Sequence, residues 1–548
     1  MQAPQPPLEW AQQLTEAGAR STSRIAAGVA LLGLAYLGVC VAGRAGSAWP
    51  LEWMEGASLA HATRLLHGAP LYAAPSGSFI PFVYPPLSYL PMALAAAVWG
   101  PALWAARLPS LLALAVCLVA LGRAAQYASG QRAAGWLAAG LFALGYGYCG
   151  AFIDLARVDA VFMALCAWGV ERSCARRHGA SVCLFALACF AKQHAVFFLL
   201  AASLGALLEE RRAAWKTVLA TWAAVGCGVS ALAYATDGWF WTYCFSVPAR
   251  HGLEPKLLLS FLVVDVCLYL PLLSGLTGYA AWRTWREASA EPTDAGSKPD
   301  DAEPLGPGTD PSEPPPSAEQ SPLTATSPRP QTPTDRAADP RSEPHAGVMR
   351  SPAGLTLLLL LAAGVVASAL GRAHPGGDDN VRLPGYALLC VVGACAFCRL
   401  CERARTPVAW CGLLALQIAM LVQAPALYWP SPQSDAYFTR LRAELARCAG
   451  AGDAVALDHA LFAGRPFAHT LALSDLRMNG DALSAQATRA VLDALRAPHA
   501  PAAISLSVSF PELSALLAER YEPCARLPAV RLPTGYGLSP SFVYSRRR

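Results

Sequence analysis

The sequence predicts an all-α polytopic membrane protein with about eleven transmembrane helices and a small α/β domain on the outer face at its C-terminal end. Three observations predict this. Of 548 residues, 55% are hydrophobic and 14% are charged, the latter about half the soluble average. The apolar residues gather into runs, many near the roughly 17–25 residues a helix needs to cross a bilayer. The arginines and lysines collect between alternate runs, as the positive-inside rule requires of cytoplasmic loops. Such a composition excludes a single soluble globular domain and a wholly disordered chain. Basic residues exceed acidic ones by 42 − 37 = 5, too few and too spread for a nucleic-acid binder. The 17 cysteines lie mostly singly inside apolar runs without zinc-site spacing, which argues against a metal framework. The 44 glycines and abundant alanines suit close helix packing in lipid.

In chain order, residues 1–24 are a polar, Pro-containing cytoplasmic tail with Arg20 and Arg24. Spans follow at 25–43, 104–122, 133–151, 217–236, 257–282, 353–370, 381–400 and 408–428, with a shorter run at 160–170. The first reads as an uncleaved anchor rather than a signal peptide. The run 180–208 is broken by Lys192-Gln193-His194 and reads as two short helices with the polar break at one face. The alternative is one long helix with a buried lysine, which costs about 2.5–3.5 kcal/mol in hydrocarbon. The stretch 87–100, LSYLPMALAAAVWG, is apolar, but counting it as a span puts the Arg-rich loops 171–178 and 399–407 outside. It is therefore expected as a helix lying in or dipping into the outer interface.

This places the N-terminus in the cytoplasm and the C-terminus outside a plasma (inner) membrane. The outer loops are then 44–103, 152–159, 192–194, 237–256, 371–380 and 429–548. The chain divides into a membrane core (25–286), a linker (287–350), further spans (351–428) and a soluble outer domain (429–548). The linker is dense in Pro, Ser, Thr, Asp and Glu and is expected to be disordered. The outer domain carries helical patterns at 435–448, 484–496 and 511–520 and strand-like runs at 454–457 and 503–506. Its Cys448 and Cys524 can pair if that face is oxidising.

The outer loops concentrate polar residues. Glu52 and Glu55 follow the first span, and 55–67 patterns as an amphipathic helix stopped by Gly68 and Pro70. Its apolar face, with Leu59, Ala62 and Leu66, can rest on the interface. Glu55 thereby stands at a helix start, where free N–H groups favour an anion; an ordinary helix-start acid looks the same. The next loop, FIDLARVDA, carries Asp154, Arg157 and Asp159, and the break adds Lys192, Gln193 and His194. A later loop, GRAHPGGDDNVRLP, brings Arg372, His374, Asp378, Asp379, Asn380 and Arg382. Each has a plain alternative: Arg157 with Asp154 or Asp159 as a structural ion pair, Gly376-Gly377 as a turn. Together on one face they offer carboxylates beside cations, suited to holding a phosphate and deprotonating a hydroxyl.

The order of first span, outer acid, amphipathic helix, HGAPLY and FVYPPLSYLPMALAAAVWGPALWAARLPSLL resembles the GT-C glycosyltransferases of the dolichyl-phosphate-mannose mannosyltransferase type, which include bacterial aminoarabinose and protein O-mannosyl transferases. Tyr84-Pro85-Pro86-Leu87 before an outer-face helix, and Arg107 opening the next span, are similar to that family, as are the IDLARVD, AKQH and HPGGDDNVRLP segments. The likeness covers most of 25–428. It implies a polyprenyl-phosphate sugar donor and transfer with inversion to a lipid, glycan or protein acceptor. The family's first outer loop usually carries an acidic pair; the matching place here reads Met54-Glu55. Glu55 is the better match for the catalytic base, with Glu52 in reserve.

The expected chemistry is then glycosyl transfer, with Glu55 deprotonating the acceptor. Arg157, Lys192 and Arg372 would stabilise the departing polyprenyl phosphate. Asp154 or Asp159 would hold Arg157 or contact the acceptor, and Tyr84, Gln193, His374 and Asn380 would contact substrate. No cofactor is required, although Asp378-Asp379 could take a divalent cation. No glycine-rich fingerprint for a nucleotide sugar is present. The rival class is a transporter or flippase for a lipid-linked glycan, but no convincing internal repeat accompanies it.

Overall fold

The computed structural model describes residues 8–289, 352–403, 407–458, 466–507, 509–535 and 541–547. The expected linker at 287–350 lies outside them from residue 290 on. Among the described residues six helices are long and apolar enough to cross a membrane, or seven if one bent pair counts as a single span. The protein is a multi-pass membrane protein.

The first helix, Leu8–Ala42, begins inside the stretch expected to be a tail. It meets the helix Arg132–Leu144 backbone to backbone: a Cβ on Gly33 would fall 2.4 Å from the Gly140 carbonyl oxygen. Small residues at this crossing let the helices approach that closely. The expected span 133–151 is shorter than its apolar run, because the helix stops at Leu144 and 145–151 turn through Gly145, Gly147 and Gly150.

The break at Lys192-Gln193-His194 is real. The helix His178–Cys189 ends before it and another starts at Ala195. That second helix runs to Ala235 but is interrupted at Glu210, whose φ and ψ are −137° and 47°. The Trp222 indole donates to Ser203 Oγ at 3.0 Å, across 19 residues of sequence. A continuous helix would hold them roughly 28 Å apart, so the chain folds back at Glu210 into two arms. The run 257–282 is bent instead: Pro255–Leu268 and Pro271–Arg286 meet at 96°, where Pro271 has no N–H to continue the ladder.

Between the first and second long helices, Glu55–Leu66 packs on Tyr89–Trp99 through Leu59, Ala62, Met92, Ala93 and Ala96. The latter helix has 11 residues and spans about 16 Å, too short to cross. Glu55–Leu66 is buried over much of its length, more than an interfacial helix would be.

The C-terminal segment builds a four-stranded sheet in the order β1-β2-β4-β3. These strands are β1 (Ala454–Ala456), β2 (Ala503–Leu506), β3 (Tyr521–Leu527) and β4 (Ser541–Arg546). β1 and β2 pair in parallel, β4 antiparallel to both β2 and β3. Helices Pro432–Ala449, Ala482–Arg496 and Pro511–Arg520 flank it as the patterns predict, and a further helix, Thr470–Arg477, has no such pattern. Cys448 and Cys524 form a disulfide. Part of this unit's core is shared with residues 54–82: Tyr72, Phe79 and Phe82 belong to one apolar cluster with Val455, Leu473, Val491 and Ile504. Ala468 N–H also donates to the Gly77 carbonyl at 2.9 Å.

Candidate active site

The chain leaving the first helix is fixed by a buried cation. Arg44 Nε lies 3.2 Å from Asp154 Oδ2, and its Nη2 donates to the Ala151 carbonyl at 3.1 Å. Tyr146 OH donates to the other Asp154 oxygen at 3.0 Å. Ala151 has a positive φ of 58°, unfavourable for alanine; Arg44 and Thr534 Oγ1 both donate to its carbonyl. Asp154 is thus spent on holding two loops together.

A second buried pair sits three residues beyond Glu52. Arg107 Nε and Nη2 donate to Glu55 Oε1 and Oε2, each at 2.8 Å. The Leu51 and Ala156 N–H groups donate to the same carboxylate at 2.8 and 3.1 Å. One bidentate pair and two backbone donors satisfy the group. It turns toward the protein interior and lines no part of the neighbouring cavity.

That cavity holds about 620 Å³. Its wall brings together seven of the expected site residues, Glu52, Tyr84, Arg157, Lys192, Gln193, His374 and Asn380, with His194 and Asp378 beside them. Charges alternate along it. Arg157 Nη1 lies 2.9 Å from Glu52 Oε2, and Arg157 Nε 3.2 Å from Asp159 Oδ2. Lys192 Nζ lies 2.7 Å from Asp159 Oδ1, to which Asn380 Nδ2 also donates at 3.1 Å. Asp159 stands behind the wall, tying Arg157, Lys192 and Asn380. Lys192 Nζ is 6.0 Å from the Tyr84 ring centre. Gln193 Nε2 donates to the Val83 and Cys244 carbonyls, fixing the Tyr84 segment.

Burial raises the Glu52 carboxyl to about 7, even though Arg157 opposes the shift. Burial likewise takes His194 down to about 3, with Lys192 adding to it, so that imidazole is neutral. His374 joins His251 ring to ring, and His251 Nε2 donates to the Asp475 main-chain carbonyl at 2.8 Å. The segment before β4 closes behind Glu52: Thr534 N–H donates to Leu51 O at 3.1 Å. Gly535 follows with φ +73°, and a Cβ there would sit 3.4 Å from Glu52 Cγ.

Four expected site residues do not reach the cavity: Glu55, Asp154, Asp159 and Arg372. Arg372 is held at 3.5 Å from Asp265 and donates to Gly377 O at 3.2 Å. Arg382 lies 3.0 Å from Asp265 and 2.8 Å from Asp379, so this part of the loop is an ion-pair knot. In each case a buried counter-charge draws the group inward, as burial of an ion demands. Sequence reasoning missed Asp475 and the anchoring roles of Arg44 and Asp265. Among the described residues no three His, Cys, Asp or Glu side chains converge as metal ligands would.

No family model matches the sequence, and no curated protein matches it. Two solved structures of ArnT from Cupriavidus metallidurans are similar to the chain. The apo form is 12% identical, covering 89% of this chain and 93% of that one with a TM-score of 0.46. The form bound to undecaprenyl phosphate is 13% identical, covering 94% and 97% with a TM-score of 0.48.

Proposed function

We propose that this protein is a GT-C-type glycosyltransferase of the plasma membrane, moving a sugar from a polyprenyl phosphate to an acceptor hydroxyl at the outer leaflet with inversion. The observation that carries this reading is a single cavity in which Glu52 faces Arg157 with Lys192 close by. In this reading the donor phosphate sits on Arg157 and Lys192, and the polyprenyl tail leaves toward lipid. The acceptor oxygen attacks the anomeric carbon, its proton passes to Glu52, and the C–O bond to phosphate breaks with its electrons on the phosphate oxygen. A carboxylate titrating near 7 suits a general base at neutral pH, a role worth about 10²–10⁴-fold. Glu52 thus takes the part expected of Glu55, which serves as a strut. Asp159 is a positioning residue for Arg157 and Lys192. Tyr84, Gln193, His374 and Asn380 border the sugar. The chemistry needs no resident metal, because two cations already stand where charge develops.

About eleven spans, a cytoplasmic N-terminus and an outward C-terminal unit complete the reading. The outward placement is supported by the Cys448–Cys524 disulfide, which belongs to an oxidising compartment. The test is purified full-length protein given a radiolabelled polyprenyl-phosphate sugar. Release of polyprenyl phosphate with transfer or hydrolysis of the sugar, abolished in Glu52→Gln, is the expected result. Movement of the intact lipid across a vesicle membrane without cleavage would establish the flippase instead.

A further inference from the structure

The proposed transfer leaves one wall of the cavity unused. The helix Thr470–Arg477, from the C-terminal sheet unit, turns Ser474 and Asp475 into the same space as Glu52, Arg157 and Lys192. The other acidic groups on the wall have partners: Glu52 has Arg157, and Asp378 accepts from the Asp379 N–H at 2.7 Å. Among the described residues the Asp475 carboxylate has neither a hydrogen bond nor an ion pair, only its main-chain carbonyl being held, by His251. Burial alone raises it to about 7. The helix is not loosely placed, since Leu473 and Leu476 sit in the apolar cluster shared with Tyr72 and Phe79.

Asp475 is half-buried on the cavity wall, and a carboxylate there without a protein partner is free to accept a hydrogen bond from whatever fills the cavity. Phosphate is repelled by this carboxylate and attracted to Arg157 and Lys192. Tyr84, whose ring centre lies 6.0 Å from Lys192 Nζ, lines the same cavity as Asp475. Asp475 and the two cations therefore face one space. The part of the donor that lies next to its phosphate is the sugar.

We infer that Asp475 is a specificity-determining residue that accepts a hydrogen bond from a hydroxyl of the lipid-linked sugar, so that the C-terminal unit reads the donor. This rests on the glycosyltransferase reading. The test measures binding of undecaprenyl phosphate, and of its glucose-, galactose- and arabinose-linked forms, to full-length protein in nanodiscs. Wild type should bind at least one sugar-linked form more tightly than the bare lipid. Asp475→Ala should weaken that form about 10- to 100-fold and leave the bare lipid unchanged, which also certifies its fold. Asp475→Asn, which keeps an acceptor oxygen, should lose less. A wild type without sugar preference, or an Asp475→Ala variant that weakens neither form or both equally, overturns the inference. A wild type that binds none of these lipids overturns the glycosyltransferase reading itself.

Discussion

Arg107 grips Glu55 through two nitrogens, each 2.8 Å from a carboxylate oxygen, while Glu52, three residues earlier, faces the cavity opposite Arg157. One short turn of chain thus presents two glutamates to different surroundings. The first is closed by a cation and backbone donors; the second is left in a buried pocket where it can gain and lose a proton.

Replacing each glutamate by glutamine should separate these roles. Glu55→Gln strands a buried guanidinium, a loss of about 3–5 kcal/mol, read as a lower melting temperature and poor recovery from detergent. Glu52→Gln should retain the wild-type melting temperature within a few degrees and lose about 10²–10⁴-fold in transfer rate. A stable but inactive Glu55→Gln beside an active Glu52→Gln would reverse the assignment.

Transfer should rise with pH through about 7, where the Glu52 carboxyl ionises, and level off above it. Stability should move the other way. Glu52 and Asp475 are both raised in the folded protein, from 4.5 and 3.8 to about 7. Between the unfolded and folded values the folded state binds more protons, so stability falls as pH rises. Their contribution is full below about pH 4 and lost as pH passes through about 7. Melting temperatures at pH 5 and pH 8 should differ less in Glu52→Gln/Asp475→Asn than in wild type, once each is referred to its own pH 5 value.

Asp159 acts through the cations it holds, so its removal should not add to theirs. Lys192→Met should cost about 10²–10³-fold in kcat/KM, the loss typical of one preorganised charge. Asp159→Asn should cost less, because both cations remain. Groups in direct contact are non-additive, and the double variant should be scarcely worse than Lys192→Met alone. Additive losses would mean that Asp159 touches substrate itself.

Much of this was legible before any coordinates. Gly68 and Pro70 end the helix after Glu55, the Lys192-Gln193-His194 break interrupts its span, and 87–100 carries a helix too short to cross. Partner choice was not legible. Asp154 stands three residues from Arg157, yet Arg44 takes it from more than a hundred residues away, because only the packed loops decide which counter-charge is nearest. β3 escaped notice because Pro523 weakens a strand pattern; the structure tolerates it because β3 is the sheet's edge, where a missing N–H costs no ladder bond. Asp475 sits in no motif, and only the shared core with Tyr72 and Phe79 brings it to the cavity.

The Cys448–Cys524 bridge joins the helix Pro432–Ala449 to β3, and so braces the unit that carries Asp475 and Thr534. A native bridge of this kind contributes about 2–4 kcal/mol. Cys448→Ser/Cys524→Ser should therefore lower the melting temperature. If the C-terminal unit reads the sugar, the double variant should also bind sugar-linked lipid less well while holding bare undecaprenyl phosphate through the membrane-side cations. Thiol alkylation followed by mass analysis checks the premise independently. In protein taken from cells without reductant, Cys448 and Cys524 should resist the reagent after denaturation, whereas Cys183, Cys227 and Cys267, which are free and exposed, should be modified. Labelling of all five would mean that the bridge does not form, and would remove its support for an outward C-terminal unit.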